Sequence, residues 1–189
     1  MGNTADPTTG SSKLTYEDYV SLPDDNRRYE ILDGDLVVTA SPTTVHQLVS
    51  GNLEFLLQTH VKAHALGSVL DAPVDVILDE TTVVVPDLVF ISAGRCSIIE
   101  RRGIVGPPDL VVEILSDSTV HRDRGAKTKL YARFGVDWYW LVEPDERRLE
   151  IYERRGQAYR ISGSHTGNET VACTVPPGLE IELAQVWPG

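Results

Sequence analysis

The chain has 189 residues, which suits one domain of ordinary size and leaves too little core for two complete domains. Apolar residues make up 41% of it, which excludes a disordered chain, and no run approaches the roughly 18–20 uninterrupted apolar residues of a membrane span. The net charge of −11 excludes a broad, non-specific grip on nucleic acid but leaves room for a local basic site.

The N-terminus and the cysteines indicate the organisation and the location of the protein. Residues 1–13 are small and polar and lack the apolar stretch of a secretory signal, so we expect a flexible tail followed by a single domain over residues 14–189. Cys96 and Cys173 stand far apart, without metal-ligand spacing. A disulfide between them stays open, but free thiols in a reducing cytoplasm are the simpler interpretation. We therefore expect a cytoplasmic protein with no membrane association.

The first elements are a short helix and a hairpin. Thr15 is a suitable cap for a helix over residues 15–22, which ends before a proline. A hairpin is predicted over residues 29–38, because the central Asp33-Gly34 pair can take positive φ at both positions and forms a favoured two-residue turn.

Two longer helices are predicted further along the chain. Ser41 as cap and Pro42 in the first turn predict a helix over residues 43–65, which Gly67 should end. The second helix spans residues 120–134, with Ser118 or Thr119 as its cap and Gly135 as its terminator.

The remaining patterned segments are strands. Runs of apolar and β-branched residues predict six of them, over 69–78, 83–91, 109–115, 137–142, 148–153 and 157–162. Residues 166–189 are weakly patterned, and we expect them to cover a sheet edge. The alternation of helices and strands predicts an α/β or α+β fold, with a mixed central β-sheet flanked by helices.

Two acids interrupt segments that otherwise look buried. Glu113 lies in an apolar strand and should share one face with Val111 and Leu115, where an unpaired carboxylate would be costly. Asp87 follows Pro86, which lacks an amide proton and should break the pairing of its strand at that point. The alternatives are an edge strand with Glu113 facing water and, for Asp87, an ordinary Pro-Asp turn.

The helix over residues 120–134 presents a lysine toward the sheet. Its packing face is defined by four apolar positions, Ala126, Leu130, Tyr131 and Phe134. At about 100° per residue, Lys127 lies within roughly 40° of the centre of that face, whereas Lys129 lies well outside it. Asp123 is one turn before Lys127 on the same face. The alternative is a lysine that snorkels to solvent from the edge of the face and merely pairs with Asp123.

Four further residues are secondary candidates. Glu30 lies on the first strand of the hairpin. His46 lies at the border of the apolar stripe of the long helix, where a lone histidine is more often a packing residue than a ligand. Arg122 and Arg124 belong to a basic cluster and are candidates for substrate binding, although composition alone favours solvated helix faces.

These residue types suit metal-assisted hydrolysis of a phosphate ester. Two acids on neighbouring strands can hold a hard divalent cation such as Mg²⁺, or alternatively Mn²⁺, through oxygen. The metal polarises a phosphoryl oxygen and activates water, while a lysine orients that water or offsets negative charge at phosphorus. The sequence contains no glycine-rich phosphate loop, no paired Cys-x-x-Cys and no His-Glu-x-x-His helix that would favour another chemistry.

The segments that hold these residues resemble the Uma-type restriction endonuclease family, which is mostly bacterial and belongs to the PD-(D/E)XK nuclease superfamily. The matching segments are residues 29–36, 86–89, 108–116, 122–127 and 131–142, and the resemblance extends over residues 14–189. It implies a restriction-endonuclease-like core with Asp87 and Glu113 as its two acids and Glu30 as an additional N-terminal acid. Leu115 stands where the superfamily lysine is expected, and Lys127 on the following helix is the matching position.

The resemblance implies a Mg²⁺-dependent endonuclease that cleaves DNA. Asp87, Glu113 and the carbonyl of Ile114 would bind the metal, and Lys127 would position water. Other hypotheses remain, namely a catalytically weak or inactive binding or regulatory module on the same fold, or a nuclease that acts on RNA or branched DNA. A homodimer is a further prediction, because duplex cleavage requires two scissions.

Overall fold

The computed structural model describes residues 13–25, 27–116 and 123–188, with only the backbone for residue 123. Within these ranges the α-helices are α1 (Tyr16–Val20), α2 (Thr44–Ala63) and α3 (Thr128–Phe134), and a π-helical turn (Asp123–Lys127) leads directly into α3. Two short 3-10 helices span Ala93–Ile98 and Leu183–Gln185. None of the helices in the described part of the chain combines the length and the apolar character that a membrane crossing requires.

Most of the strands belong to two six-stranded sheets. The strands are β1 (Arg28–Leu32), β2 (Asp35–Thr39), β3 (Gly67–Asp71), β4 (Val76–Asp79), β5 (Thr82–Val84), β6 (Leu88–Ser92), β7 (Ile99–Glu100), β8 (Gly103–Val105), β9 (Leu110–Ile114), β10 (Trp138–Glu143), β11 (Arg148–Arg155), β12 (Ala158–Thr166), β13 (Thr170–Ala172) and β14 (Glu180–Glu182). The central sheet has the order β12-β11-β10-β9-β6-β3, and the second sheet has the order β2-β1-β5-β4-β8-β7. Strands β9 and β10 pair in parallel, and every other strand pair of the central sheet is antiparallel.

The central sheet carries a core on each of its faces. Val112 and Ile114 of β9 pack on one face with Leu53 and Leu57 of α2. Alternate residues of β9 point to the other face, where the core also includes residues of α3 and of the second sheet. The predicted mixed sheet flanked by helices is therefore confirmed, and a second sheet shares the α3 side.

The local signals near the N-terminus are confirmed. The Thr15 side chain accepts a hydrogen bond from the amide of Asp18, whose carboxylate accepts one from the Thr15 amide, so α1 begins with a reciprocal cap. Asp33 and Gly34 have φ values of 54° and 87°, as the predicted hairpin turn requires.

The predicted bounds of the long helix agree with α2 to within two residues, but the predicted cap and terminator were wrong. Thr43, not Ser41, caps α2, because its side chain accepts a hydrogen bond from the amide of His46. The helix ends at Ala63, and Gly67 instead begins β3 with φ of 147°. A Cβ there would lie 2.0 Å from the Ile91 carbonyl oxygen, so this glycine permits close approach of two strands.

Each of the two long predicted strands is divided in two. The segment 69–78 is interrupted after Asp71, and the segment 83–91 is interrupted after Val84. The second interruption holds Pro86 and Asp87, so the predicted break in pairing beside the acid is confirmed.

The C-terminal residues cover a sheet face and not an edge, so the edge prediction was wrong. Val171, Ile181, Leu183 and Trp187 are buried in the same core as α2. The pattern was weak because β13 and β14 have only three residues each, too few to show alternation. Cys173 is buried in this layer, and both cysteines are free thiols.

Candidate active site

Glu113 lies in the interior of the central sheet. All five residues of β9 are buried, and β9 pairs with β10 on one side and β6 on the other, so the edge-strand alternative is wrong. The Glu113 side chain is 4% exposed. Its Oε1 accepts a hydrogen bond from Lys127 Nζ at 2.8 Å and from the Tyr131 hydroxyl at 2.7 Å. Among the described contacts, the buried charge is thus met by the Lys127 cation and by a neutral hydroxyl donor.

Lys127 bridges two acids that come from different sheets. Its Nζ lies 2.8 Å from Oε1 of Glu113 and 2.8 Å from Oε1 of Glu30. The side chain is 3% exposed, which excludes the snorkelling alternative, whereas Lys129 is exposed. The predicted difference in direction between the two lysines is confirmed.

The π-helical turn changes which residues share the buried face of the helix with Lys127. Leu130 and Tyr131 are buried, as the predicted packing face requires, but Ala126 is exposed. A π-helical turn holds more residues than an α-helical turn, so an assumed 100° per residue misplaces positions within it. Such turns are frequent at functional sites, and this one ends at Lys127.

Tyr131 is a member of the site that the sequence analysis treated only as a packing residue. It is fully buried one turn after Lys127, and its hydroxyl donates to Glu113. Burial raises the Tyr131 pKa well above its usual value, and the negative charges of Glu113 and Glu30 add to this effect. The hydroxyl therefore remains a proton donor. Its i+4 spacing from Lys127 was the available sequence signal.

Glu30 connects the second sheet to this cluster. It lies on β1, is 1% exposed, and its Oε1 also accepts a hydrogen bond from the Val85 amide at 2.9 Å. Val85 directly precedes the Pro86-Asp87 break. Glu30 therefore contacts both Lys127 and the chain segment that positions Asp87.

Asp87 lies next to Glu113 across the sheet. Leu88 pairs with Val112 in antiparallel register, which places Asp87 opposite Glu113 at the next position. The Oδ2 atom of Asp87 accepts a hydrogen bond from the Ile114 amide at 2.8 Å. Its side chain is 4% exposed, so Asp87 is a buried group and not an ordinary turn residue.

Two cationic or potentially cationic side chains contact the Asp87 carboxylate. Arg28 donates to Oδ1 at 3.2 Å, and His46 Nε2 lies 3.2 Å from Oδ2. Burial alone would raise the Asp87 pKa, but the hydrogen bond and charge of His46, the Ile114 amide and the charge of Arg28 outweigh it. The Asp87 pKa is therefore lowered from 3.8, and the group is ionised at neutral pH.

His46, a secondary candidate from the sequence, contacts Asp87, whereas Arg28 was missed. His46 is 7% exposed, and its Nδ1 meets no hydrogen-bonding partner among the described residues. Arg28 is the first residue of β1 and lies 59 positions before Asp87. No local pattern links two residues so far apart, so the sequence offered no signal for this contact.

Among the remaining predicted site residues, Arg124 makes its described contacts away from this cluster. Arg124 donates to Glu150 at 2.7 Å and to Glu143 at 2.8 Å, on strands β11 and β10. Arg122 lies outside the described residues, and so does the side chain of Asp123, whose backbone begins the π-helical turn. The amide of Ile114 donates a hydrogen bond to Asp87. The metal-binding role of the Ile114 carbonyl stays a prediction.

The family described as "Putative restriction endonuclease" (Uma2) matches residues 16–184 of the chain. The chain belongs to this family. The match includes every residue of the acid–lysine cluster, from Glu30 to Lys127, and the resemblance stated from the sequence is thereby confirmed.

Two relatives illustrate how far the likeness of this Uma2 chain extends. An uncharacterized Synechocystis protein, slr1290, is 26% identical over 154 residues, which cover 78% of each chain. A crystal structure described as a "putative nuclease belonging to DUF820", from Anabaena variabilis, has a TM-score of 0.74 and 18% identity, and the match covers 92% of this chain and 97% of that one. At this identity the structural likeness shows a shared fold.

The donor set of the Uma2 chain fits a hard divalent cation. Asp87 and Glu113 offer carboxylate oxygens from adjacent positions across the sheet, and the surroundings keep Asp87 ionised. No group of three or more His, Cys, Asp and Glu side chains converges on one point within the described residues. A cation held by this pair would complete its coordination with water or substrate oxygens, as Mg²⁺ commonly does.

Proposed function

We propose that this protein is a divalent-metal-dependent endonuclease that hydrolyses phosphodiester bonds of DNA, with Mg²⁺ as its metal and Mn²⁺ as the alternative. The observation that carries the proposal is the buried set of Glu30, Asp87, Glu113 and Lys127. Burial of three acids and a lysine in apolar surroundings lowers the stability of the fold. A role in metal binding and catalysis would explain why these residues are present. Membership of a family described as restriction endonucleases supports the same chemistry.

Each residue has a distinct role in the proposed reaction. Asp87 and Glu113 would hold the metal, together with the carbonyl of Ile114. The metal, when bound, would polarise a phosphoryl oxygen and lower the pKa of a water molecule. Lys127 would orient the attacking water or offset negative charge at phosphorus. Glu30 positions Lys127 through the 2.8 Å contact between them.

The proposal also includes the substrate contacts, the location and the assembly of the enzyme. Arg122 and Arg124 remain candidate phosphate contacts, although Arg124 would first have to leave Glu143 and Glu150. A cytoplasmic location gives access to DNA, and a homodimer would supply two active sites for the two strands of a duplex.

A second candidate function is a binding or regulatory module that keeps the fold without catalysis. One observation favours it, since Lys127 pairs with Glu30 and with Glu113, and none of the three side chains is more than 4% exposed. The net charge of −11 also weakens any general attraction to nucleic acid. Catalysis would require these contacts to exchange for metal and substrate.

A nuclease assay with two matched lysine variants separates these functions. Linear, supercoiled and branched DNA and RNA are incubated with the protein in Mg²⁺, in Mn²⁺ and in chelator. Lys127→Met should lower the cleavage rate by a factor on the order of 10² or more, whereas Lys129→Met should leave it nearly unchanged. Both variants remove one positive charge within two residues of each other, so their general electrostatic effects are alike.

The outcomes of the assay distinguish the hypotheses. Equal losses in both variants would make the helix a basic docking surface only. Metal-independent cleavage, or no effect of either variant, would refute the proposed chemistry, and the absence of cleavage on every substrate would favour the binding module. Asp87→Asn provides a second test of the site if Lys127→Met does not fold, which circular dichroism monitors.

A further inference from the structure

A pocket of about 490 Å³ opens beside the buried cluster. Arg28 and Val85 are among the residues that line it, and both contact the site, since Arg28 donates to Asp87 and the Val85 amide donates to Glu30. The Arg28 side chain is 24% exposed, whereas that of Asp87 is 4% exposed. Arg28 therefore connects a buried acid to a surface pocket.

The charges around this pocket suit a single phosphate group and not a long basic track. Its lining includes Arg27 and Arg28 but also the acids Asp24 and Asp75, so the formal charges balance. Asp75 accepts a hydrogen bond from the Tyr19 hydroxyl at 2.7 Å. A local cation in a lining whose formal charges sum to zero agrees with the net charge of −11, which excludes broad contact with a polyanion.

The two neighbouring arginines differ in their attachment. Arg27 donates to Asp25, is 59% exposed, and its guanidinium lies 5.5 Å from the centroid of the Tyr29 ring. Arg28 instead contacts Asp87 at 3.2 Å with one nitrogen. A single contact of that length leaves the other donors of the planar guanidinium fork for a second acceptor. Of the two arginines, Arg28 is therefore the one that links the pocket to the Asp87 carboxylate.

A divalent cation and Arg28 would compete for the same carboxylate. The guanidinium donates to Oδ1 of Asp87, while Oδ2 is engaged by the Ile114 amide and His46. Both cations gain by neutralising Asp87, and their mutual repulsion within a few ångströms disfavours simultaneous binding. Because Arg28 is partly exposed, it can turn outward without burying its charge elsewhere.

We propose that Arg28 neutralises Asp87 in the metal-free protein, is displaced when a divalent cation binds, and then contacts the substrate phosphate in the adjoining pocket. Arg28 is thereby a substrate-binding residue, and the pocket is the side from which a phosphodiester approaches the acids. This inference rests on the proposed function, since it needs both a metal and a phosphate ester.

The test compares Arg28→Gln with Arg27→Gln, which removes the neighbouring pocket-lining charge. Calorimetric titration with Mn²⁺ in the absence of nucleic acid measures the first step. Arg28→Gln should bind Mn²⁺ about tenfold more tightly than the wild type, because a competing cation is gone. Arg27→Gln should bind Mn²⁺ as the wild type does. Arg28→Lys keeps the competing charge, so its Mn²⁺ affinity should stay within a few-fold of the wild type.

The second step predicts the opposite direction for the substrate. With a DNA duplex and Mn²⁺, Arg28→Gln should lower kcat/KM by about tenfold or more despite its tighter metal binding, because a phosphate contact is lost. A merely structural role would weaken metal binding and activity together. Melting temperatures of all variants are measured in chelator to identify any loss of folding.

The outcomes separate this inference from the proposed function. If the wild type binds Mn²⁺ and cleaves DNA, while Arg28→Gln binds Mn²⁺ no more tightly, the displacement is refuted and the nuclease stands. Tighter metal binding with unchanged kcat/KM would refute the phosphate contact. If neither the wild type nor Arg28→Gln binds Mn²⁺ or cleaves DNA, the proposed function fails and this inference fails with it.

Discussion

Replacement of Lys127 by methionine tests how strongly the cluster of Glu30, Asp87, Glu113 and Lys127 depends on the ammonium that bridges two of its acids. Methionine keeps most of the length and the apolar stem of lysine but removes the charge. Glu30 and Glu113 would then face each other in surroundings where their side chains are 1% and 4% exposed. Among the described contacts, the Val85 amide still donates to Glu30 and the Tyr131 hydroxyl still donates to Glu113.

The magnitude follows from the two contacts that the ammonium makes. Each is 2.8 Å long, and at an effective dielectric constant of about 20 each corresponds to an attraction of about 6 kcal/mol. The variant also avoids the desolvation of the ammonium, which offsets part of that loss. Removal of one partner from a buried ion pair commonly costs about 3–5 kcal/mol, and we expect the free energy of unfolding to fall by that amount at pH 8.

The loss should depend on pH in a defined direction. Two buried carboxylates that have lost the ammonium between them bind a shared proton more readily than the same groups in the unfolded chain. The folded variant then holds more protons than the unfolded variant, so its stability falls as the pH rises. The deficit relative to the wild type should therefore be smaller at pH 5 than at pH 8.

Urea unfolding in chelator at both pH values measures these differences. Lys129→Met is the matched control, since Lys129 is exposed and surface substitutions usually change stability by no more than about 0.5 kcal/mol. A Lys127→Met variant that matches this control within about 1 kcal/mol at both pH values would refute the reasoning. It would show that the bridging contacts contribute little to the folded state.

Four further predictions concern Asp87, Tyr131 and assembly. Asp87→Asn should weaken Mg²⁺ or Mn²⁺ binding at least about tenfold in calorimetric titration, and undiminished binding would remove Asp87 from the metal site. The folded structure lowers the pKa of the Asp87 carboxyl from 3.8, so the ionised carboxylate stabilises the fold at pH values above 3.8. This stabilisation is lost as the pH falls through the lower pKa of the folded state. Metal-free thermal melts from about pH 5 to pH 2 should accordingly show a smaller acid-induced loss for Asp87→Asn than for the wild type. Tyr131→Phe removes a donor to Glu113 and should lower the free energy of unfolding by about 1.5–3 kcal/mol, which a loss below about 0.5 kcal/mol in urea would contradict. Light scattering at micromolar concentration should report a dimer, and a monomer would count against the predicted assembly.

Local sequence signals predicted the elements and the acids of the site. The cap at Thr15, the turn at Asp33-Gly34 and the end of α3 at Gly135 depend on residues within one turn of each other. Glu113 was recognisable because an acid within an apolar strand must be compensated. The periodicity of the helix also predicted the direction of Lys127.

Only the tertiary structure decided which groups compensate those acids. Arg28 meets Asp87 from 59 positions away, and Lys127 joins Glu113 of the central sheet to Glu30 of the second sheet. The exposure of Ala126 likewise depends on a π-helical turn that no periodicity of 3.6 residues describes. Capping, turn formation and alternation act between near neighbours in the chain, so the sequence determined them by itself. The partners of a buried charge depend on strand register and on the packing of one sheet against another, which are fixed when the whole chain folds.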